Sequence, residues 1–126
     1  MSKDEKVRRF PRFQIRGVMG AITEADEAEV LDLSMGGALV EHRGMFRVGA
    51  SCFLDLPTAG MLVSIRCRVV YSGESRREAE GTLYYRTGVE FLDLTPEAEQ
   101  ALGAVIRSYG ARTNDQERGG RGGLCD

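Results

Sequence analysis

Met61-Leu62-Val63-Ser64-Ile65-Arg66-Cys67-Arg68-Val69-Val70-Tyr71 reads as a β-strand before any other feature of the chain is weighed. Met61, Val63, Ile65, Cys67, Val69 and Tyr71 make one apolar face, and Leu62, Ser64, Arg66, Arg68 and Val70 a mixed one. A period of two sends successive side chains to opposite faces of a strand, and β-branched residues suit that surface. One face therefore belongs to a core and the other largely to solvent. Tyr71 closes the apolar face, where a core or rim aromatic is the commoner reading.

Working outward, strands are expected at 13–22, 28–33, 38–43, 51–56 and 82–91, with turn signals at Gly44, from Pro57 to Gly60 and from Ser72 to Ser75. The acidic run Glu24, Asp26, Glu27 and Glu29 has no apolar stripe at helical spacing, so it reads as a solvated loop leading into the next strand. Thr95 is a fitting N-cap, Pro96 a first helical residue, and Glu97 and Glu99 favour the positive end of a helix dipole. Ala98, Ala101, Leu102, Val105, Ile106 and Tyr109 recur at helical spacing up to Gly110, a stop signal, and such a stripe most often packs on the protein's own core. Residues 111–126 are rich in glycine and charge and are expected to be a disordered tail, with one Arg-Gly-Gly tandem from Arg118 to Gly123. Short antiparallel strands followed by one helix describe a mainly-β, closed or nearly closed barrel.

A chain of 126 residues is one domain by length. No stretch has the apolar length of a membrane span, and Met1 to Lys6 leads into arginines instead of an apolar signal sequence. Cys52, Cys67 and Cys125 are odd in number and form no C-x-x-C pair, which excludes a full disulfide framework and speaks against zinc. Cys52 and Cys67 fall in apolar strand patterns as small buried hydrophobes, a usage that fits the cytoplasm. His42 is the sole histidine, has no sequence neighbour that would make it catalytic, and reads as a surface or loop residue. With no nucleophile elbow and no P-loop, an enzyme is not expected.

Two patches carry recognition chemistry. Arg8-Arg9-Phe10-Pro11-Arg12 holds three guanidinium groups, whose planar forks match guanine edges and phosphate oxygens. Pro11 disfavours helix there, and an extended arm puts Arg8 and Arg12 on one side, roughly 13 Å apart. Asp32-Leu33-Ser34-Met35-Gly36-Gly37 offers a carboxylate able to accept from guanine N–H groups, a hydroxyl suited to phosphate, and glycines that permit a tight turn. Residues 1–16 hold six bases against two acids, a local +4 that leaves −6 on the rest of a chain of net −2. A basic arm on an acidic body gathers anions at one place without making a general nucleic-acid surface.

Arg-x-x-x-Arg followed by Asp-x-Ser-x-x-Gly resembles the PilZ domain, a bacterial receptor module for cyclic di-GMP. Gly37-Ala38-Leu39-Val40, Cys67-Arg68-Val69-Val70-Tyr71 and Gly88-Val89-Glu90-Phe91-Leu92-Asp93-Leu94 are also similar to that family, so the likeness covers about residues 7–107. It implies a six-stranded antiparallel β-barrel of split-barrel type with a C-terminal α-helix, spanning 7–110 between a flexible arm at 1–6 and the tail. It implies cyclic di-GMP as ligand, with no cofactor and no metal. Arg8 and Arg12 would bind guanine and phosphate, and Arg9 would stack or add a phosphate contact. Asp32 and Ser34 would contact a guanine and its surroundings, Gly36 and Gly37 would shape the loop, and Tyr71 would reach the ligand. The resulting expectation is a cytoplasmic receptor that orders its arginine arm on binding and signals to a downstream protein partner. A PilZ-like protein-interaction module that ignores the nucleotide is the main alternative. A small-barrel nucleic-acid binder using the arm and the glycine-arginine tail is a less favoured third.

Overall fold

A computed structural model describes residues 10–23, 25–58 and 61–112. The strands are β1 (Phe13–Ile15), β2 (Met19–Ile22), β3 (Ala25–Leu33), β4 (Gly37–Arg43), β5 (Ser51–Thr58), β6 (Met61–Arg77) and β7 (Leu83–Phe91), followed by helix α1 (Pro96–Tyr109) and β8 (Gly110–Arg112). Neighbouring strands run β2-β5-β6-β7-β4-β3, and β3 pairs again with β2 to close a six-stranded antiparallel barrel. β1 lies beside β3 and carries β8 on its other edge. The mainly-β barrel with a C-terminal helix is thus the observed fold.

The expected strand at 13–22 is two strands. Both lie along β3, joined by a kink at Gly17, whose φ of 81° suits glycine. The acidic run is a correction: Ala25 to Glu29 belongs to β3, not to a loop. Ala28 and Val30 are buried while Glu27 faces water, the alternation of an antiparallel strand wet on one side, and Ala25 also turns inward because the pairing with β2 shifts register between Gly20 and Ile22. The turn expected at Ser72 to Ser75 is likewise strand, because β6 continues to Arg77 and the hairpin turns at Glu78 to Thr82 instead.

The barrel closes where β2 meets β5, in only two residue pairs, Ala21 with Asp55 and Ile22 with Leu54. A Cβ on Gly20 would stand 2.4 Å from the Asp55 carbonyl oxygen, so only glycine lets these backbones approach. Thr23 reinforces the seam, donating its N–H to the Phe53 carbonyl at 3.0 Å and accepting the Phe53 N–H on Oγ1 at 2.7 Å.

Inside lie Val30, Leu33, Val40, Leu54, Leu56, Ile65, Cys67, Val69 and Val89, with Leu102 and Val105 of α1 covering one end. Thr95 caps α1 by accepting the Ala98 N–H at 3.1 Å, and the apolar stripe serves the protein's own core. Gly110 ends the helix in an extended conformation, and Ala111 and Arg112 remain paired to β1, two residues into the stretch read as tail. The remainder of that stretch and the arm at 1–6 lie outside the described residues. Cys52 and Cys67 are buried, free and directly opposite one another on β5 and β6.

His42 is a second correction: it is 1 % exposed, on the inner face of β4. Its Nδ1 lies 3.0 Å from the Arg43 carbonyl, which can only accept, so that nitrogen carries the proton. Nε2 then accepts the Thr87 hydroxyl at 2.6 Å, Thr87 Oγ1 accepts from Ser72, and Ser72 accepts the Phe46 N–H. Every polar group of this chain has a partner, which is why a histidine can sit there.

Candidate functional site

Strict alternation sends Asp32 and Tyr71 inward, but one extra residue in each strand turns both outward. In β3 the pairing with β4 runs Val30 with Val40, then Asp32 with Leu39, so Leu31 is the extra residue. In β6 the pairing with β7 runs Val69 with Val89, then Tyr71 with Gly88, so Val70 is the extra residue. A one-residue bulge exchanges the faces of everything beyond it. Leu33 consequently enters the core in place of Asp32, and Ser72 turns inward in place of Tyr71.

The two bulges assemble a row. Asp32 lies opposite Leu39, Leu39 opposite Gly88, and Gly88 opposite Tyr71, crossing β3, β4, β7 and β6 on the outer face. Three strand gaps at about 4.8 Å make the row roughly 14 Å long. Arg12, Ser34, Gly37, Ala38, Val70 and Val89 complete a pocket of about 280 Å³ around it. Gly88 forms the floor, where an added Cβ would meet Tyr71 and Val70 at an ordinary 3.7 Å. Tyr71 is 52 % exposed and lies back over Gly73, where a Cβ would stand 2.7 Å from its hydroxyl. The tyrosine has room to lie flat because position 73 has no side chain.

The hairpin turn that borders the pocket is built on Ser34. Ser34 Oγ accepts the N–H groups of Gly36 at 3.0 Å and Gly37 at 3.1 Å, and the Ser34 N–H reaches the Gly37 carbonyl at 2.9 Å. The Ser34 side chain is buried, so it shapes the loop more than it projects from it. Arg12 faces Asp32 with Nε 3.7 Å from Oδ2, a loose pair in which Arg12 is half-exposed. Burial pushes the Asp32 carboxyl above the usual aspartate range, and Arg12 and a hydrogen bond from the Leu33 backbone offset only part of that shift. Among the described residues this buried carboxylate has only that loose ion-pair partner, and an added donor would relieve it.

Of the residues singled out in the sequence, Arg12, Asp32, Ser34, Gly37 and Tyr71 line one pocket, and Gly36 stands behind it as a donor to Ser34. Arg8 and Arg9 lie outside the described residues. Leu39, Val70 and Gly88 were not singled out as site residues. Leu39 was legible as the residue two beyond Gly37 on an alternating strand, whereas Val70 depends on a bulge that its own sequence does not announce. Among the described residues no group of three or more His, Cys, Asp and Glu side chains is placed to hold a metal ion.

The chain is thus a closed antiparallel barrel with a pocket on its outer wall, lined by Arg12, Asp32 and Tyr71 among others. The family model of the PilZ domain matches residues 6–108, and the chain belongs to that family. The fold is similar to the PilZ domain of YcgR from Escherichia coli, solved with c-di-GMP, at 14 % identity and a TM-score of 0.64, covering 91 % of this chain and 98 % of that one. It is similar to the Bacillus subtilis inhibitor of motility (MotI/DgrA) at 19 % identity and a TM-score of 0.60, covering 80 % of this chain and 50 % of that one. The MrkH–c-di-GMP complex of K. pneumonia is similar at 16 % identity and a TM-score of 0.59, covering 80 % and 51 %. No curated protein sequence matches the chain.

Proposed function

We propose that this protein is a cyclic di-GMP receptor whose arginine arm closes over the ligand and whose changed surface is read by a downstream protein. The observation that carries the reading is the convergence of Arg12, Asp32, the Ser34–Gly37 turn and Tyr71 on one outer pocket. Two structural neighbours with c-di-GMP, and the family itself, support the choice of ligand. Asp32 accepts from a guanine N–H edge, Tyr71 offers a stacking face, and Arg12 with Arg8 and Arg9 supplies donors to phosphate and guanine. Ser34, Gly36 and Gly37 hold the turn against which the ligand rests.

The pocket's volume of about 280 Å³ lies at the small end for a ligand site, too small to enclose a dinucleotide. Much of the ligand therefore lies above the sheet, where the arm would cover it. Ordering the arm on binding converts ligand affinity into a new surface, driven only by the ligand's preference for the ordered form. The role is binding, not catalysis. Among the described residues no helix is long and apolar enough to cross a membrane, and a cytoplasmic site of action fits the free, buried Cys52 and Cys67.

Calorimetric titration of cyclic di-GMP into the wild-type protein, Arg12→Ala and Ser34→Ala tests the reading. Saturable binding by wild type, lost in Arg12→Ala and weakened in Ser34→Ala, is the expected result. A folded wild-type protein that takes up no cyclic di-GMP would overturn it in favour of a protein-interaction module.

A further inference from the structure

Tyr71, Ser72, Gly73 and Glu74 of β6 pair with Gly88, Thr87, Arg86 and Tyr85 of β7, and a bulge bounds them at either end, at Val70 before and Ser75 after. A segment held between two one-residue bulges has a second register open to it. It moves by one residue, one bulge giving up its extra residue and the other gaining it, while the strand on both sides stays in place. After such a slip Val70 would lie opposite Gly88 and Tyr71 opposite Thr87, with Tyr71 turned into the barrel and Ser72 turned out. Hydrophobic burial favours the slip, which would take a 52 % exposed tyrosine ring inward and a serine outward. Gly73 and Gly88 have no side chains to oppose it.

What opposes the slip is polar. The Phe46 N–H donates to Ser72 Oγ at 3.1 Å, Ser72 to Thr87 Oγ1 at 3.0 Å, and Thr87 to His42 Nε2 at 2.6 Å. The direction is fixed at both ends, because the Phe46 N–H can only donate and the Arg43 carbonyl at His42 Nδ1 can only accept. Each hydroxyl is therefore donor and acceptor at once, and removing one breaks two bonds. His42 and Thr87 are buried, and the His42 ring lies 4.6 Å from that of Phe46. A slip would withdraw Ser72 from this chain, leaving the Phe46 N–H without its acceptor and the buried Thr87 without its donor. Such a loss costs more than the bond itself when water cannot replace the partner.

We propose that the chain from His42 through Thr87 to Ser72 sets the register of the ligand face. It holds Ser72 inward, and Ser72 held inward keeps Tyr71 outward beside Gly88. The three are positioning residues, acting from inside the barrel on a ligand that lies outside it. The effect on affinity rests on the cyclic di-GMP reading, whereas the effect on register is a property of the free protein.

Cross-strand nuclear Overhauser contacts in the ligand-free full chain report the register, and calorimetric titration of cyclic di-GMP reports its consequence. Wild type should pair Tyr71 with Gly88 and Ser72 with Thr87. Thr87→Val keeps the side-chain shape and removes the hydroxyl. It should give a second set of signals for residues 70–75, with Val70 opposite Gly88, and bind about tenfold more weakly, as when the competent register falls to about one-tenth of the population. Thr87→Ser restores the hydroxyl and should return both readings to wild type. Leu54→Ala, a core truncation on β5, should lower the melting temperature and leave the register alone. Thr87→Val with wild-type pairing would overturn the inference, as would a slip in Leu54→Ala or a slipped Thr87→Val that binds as tightly as wild type. A wild-type protein that takes up no cyclic di-GMP brings down the ligand reading, while the pairing in Thr87→Val still decides the register. Should Thr87→Val not fold, Ser72→Ala removes the donor to Thr87 and is judged by the same two readings.

Discussion

Glu41 and Asp32 stand in neighbouring rows of the same outer wall, and each faces arginine. Glu41 lies opposite Arg86, accepts from Ser75, Arg76 and Arg86, and has Arg76 stacked 4.1 Å over the Tyr84 ring. Among the described residues Asp32 has one ion pair, a loose one with Arg12 at 3.7 Å. Burial alone would raise both carboxyls. At Glu41 the hydrogen bonds from Ser75, Arg76 and Arg86 outweigh it and hold the group below the usual glutamate range, while at Asp32 burial prevails. The cavity beside Glu41, about 490 Å³, is larger than the 280 Å³ pocket at Asp32. Size and charge therefore point to the Glu41 row. Unmet hydrogen-bonding capacity points to the other, because a saturated carboxylate has nothing left to offer a ligand.

The sharpest way to break this contrast is to make the same change in both rows. Asp32→Asn is expected to weaken cyclic di-GMP binding about 100-fold, as two charge-assisted bonds are lost, without lowering the melting temperature. Titration and a thermal melt on the same sample check it, and a destabilised Asp32→Asn would place Asp32 among the structural ion pairs. Glu41→Gln should do the reverse. With its arginine partners half-exposed and screened, the loss is about 1–2 kcal/mol of stability, read by urea unfolding, and binding should stay within about twofold of wild type.

Acid should separate the rows next. The Asp32 carboxyl is raised in the folded protein, so its stabilising effect appears only as pH falls below its folded value and is lost as pH rises through it. Glu41 is lowered, so its contribution is present above the usual glutamate range and is lost as pH falls through its folded value. Melts from neutral pH downward should therefore show the gap between wild type and Glu41→Gln closing in acid. Ligand affinity should fall with protonation of Asp32, by at most about tenfold per pH unit for one proton. An affinity flat down to the ordinary aspartate range would remove Asp32 from the ligand. The smallest effect expected is at Gly73→Ala, whose methyl group would displace the Tyr71 hydroxyl and weaken binding by a few-fold, with altered Tyr71 ring shifts in NMR spectra.

The alternation of residues 61–69 and the capped stripe of α1 were legible because each follows one period without interruption. Asp32, Ser34, Gly37 and Tyr71 were legible as types, but not the reason that they meet. Leu31 and Val70 are apolar residues among apolar residues, and a bulge is decided by the partner strand's register, which a single strand does not encode. The start of β3 from Ala25 to Glu27 escaped notice because the inward residues there, Ala25 and Ala28, are too small to mark a strand among the acids. His42 escaped because Thr87, the side chain that its Nε2 meets, and Ser72, which bonds Thr87 in turn, are distant in sequence.

The two-pair seam between β2 and β5 has a consequence for solubility. Any side chain at position 20 would act as a wedge against the Asp55 carbonyl and part the two strands. A parted barrel is an open sheet with two unpaired edges, and exposed edges recruit strands from other molecules. Phe53, at 52 % exposure, stands beside that edge, so the sheet freed by such a substitution would be adhesive as well as open. The hydrogen atom at Gly20 is then what separates a closed barrel from an open, adhesive sheet.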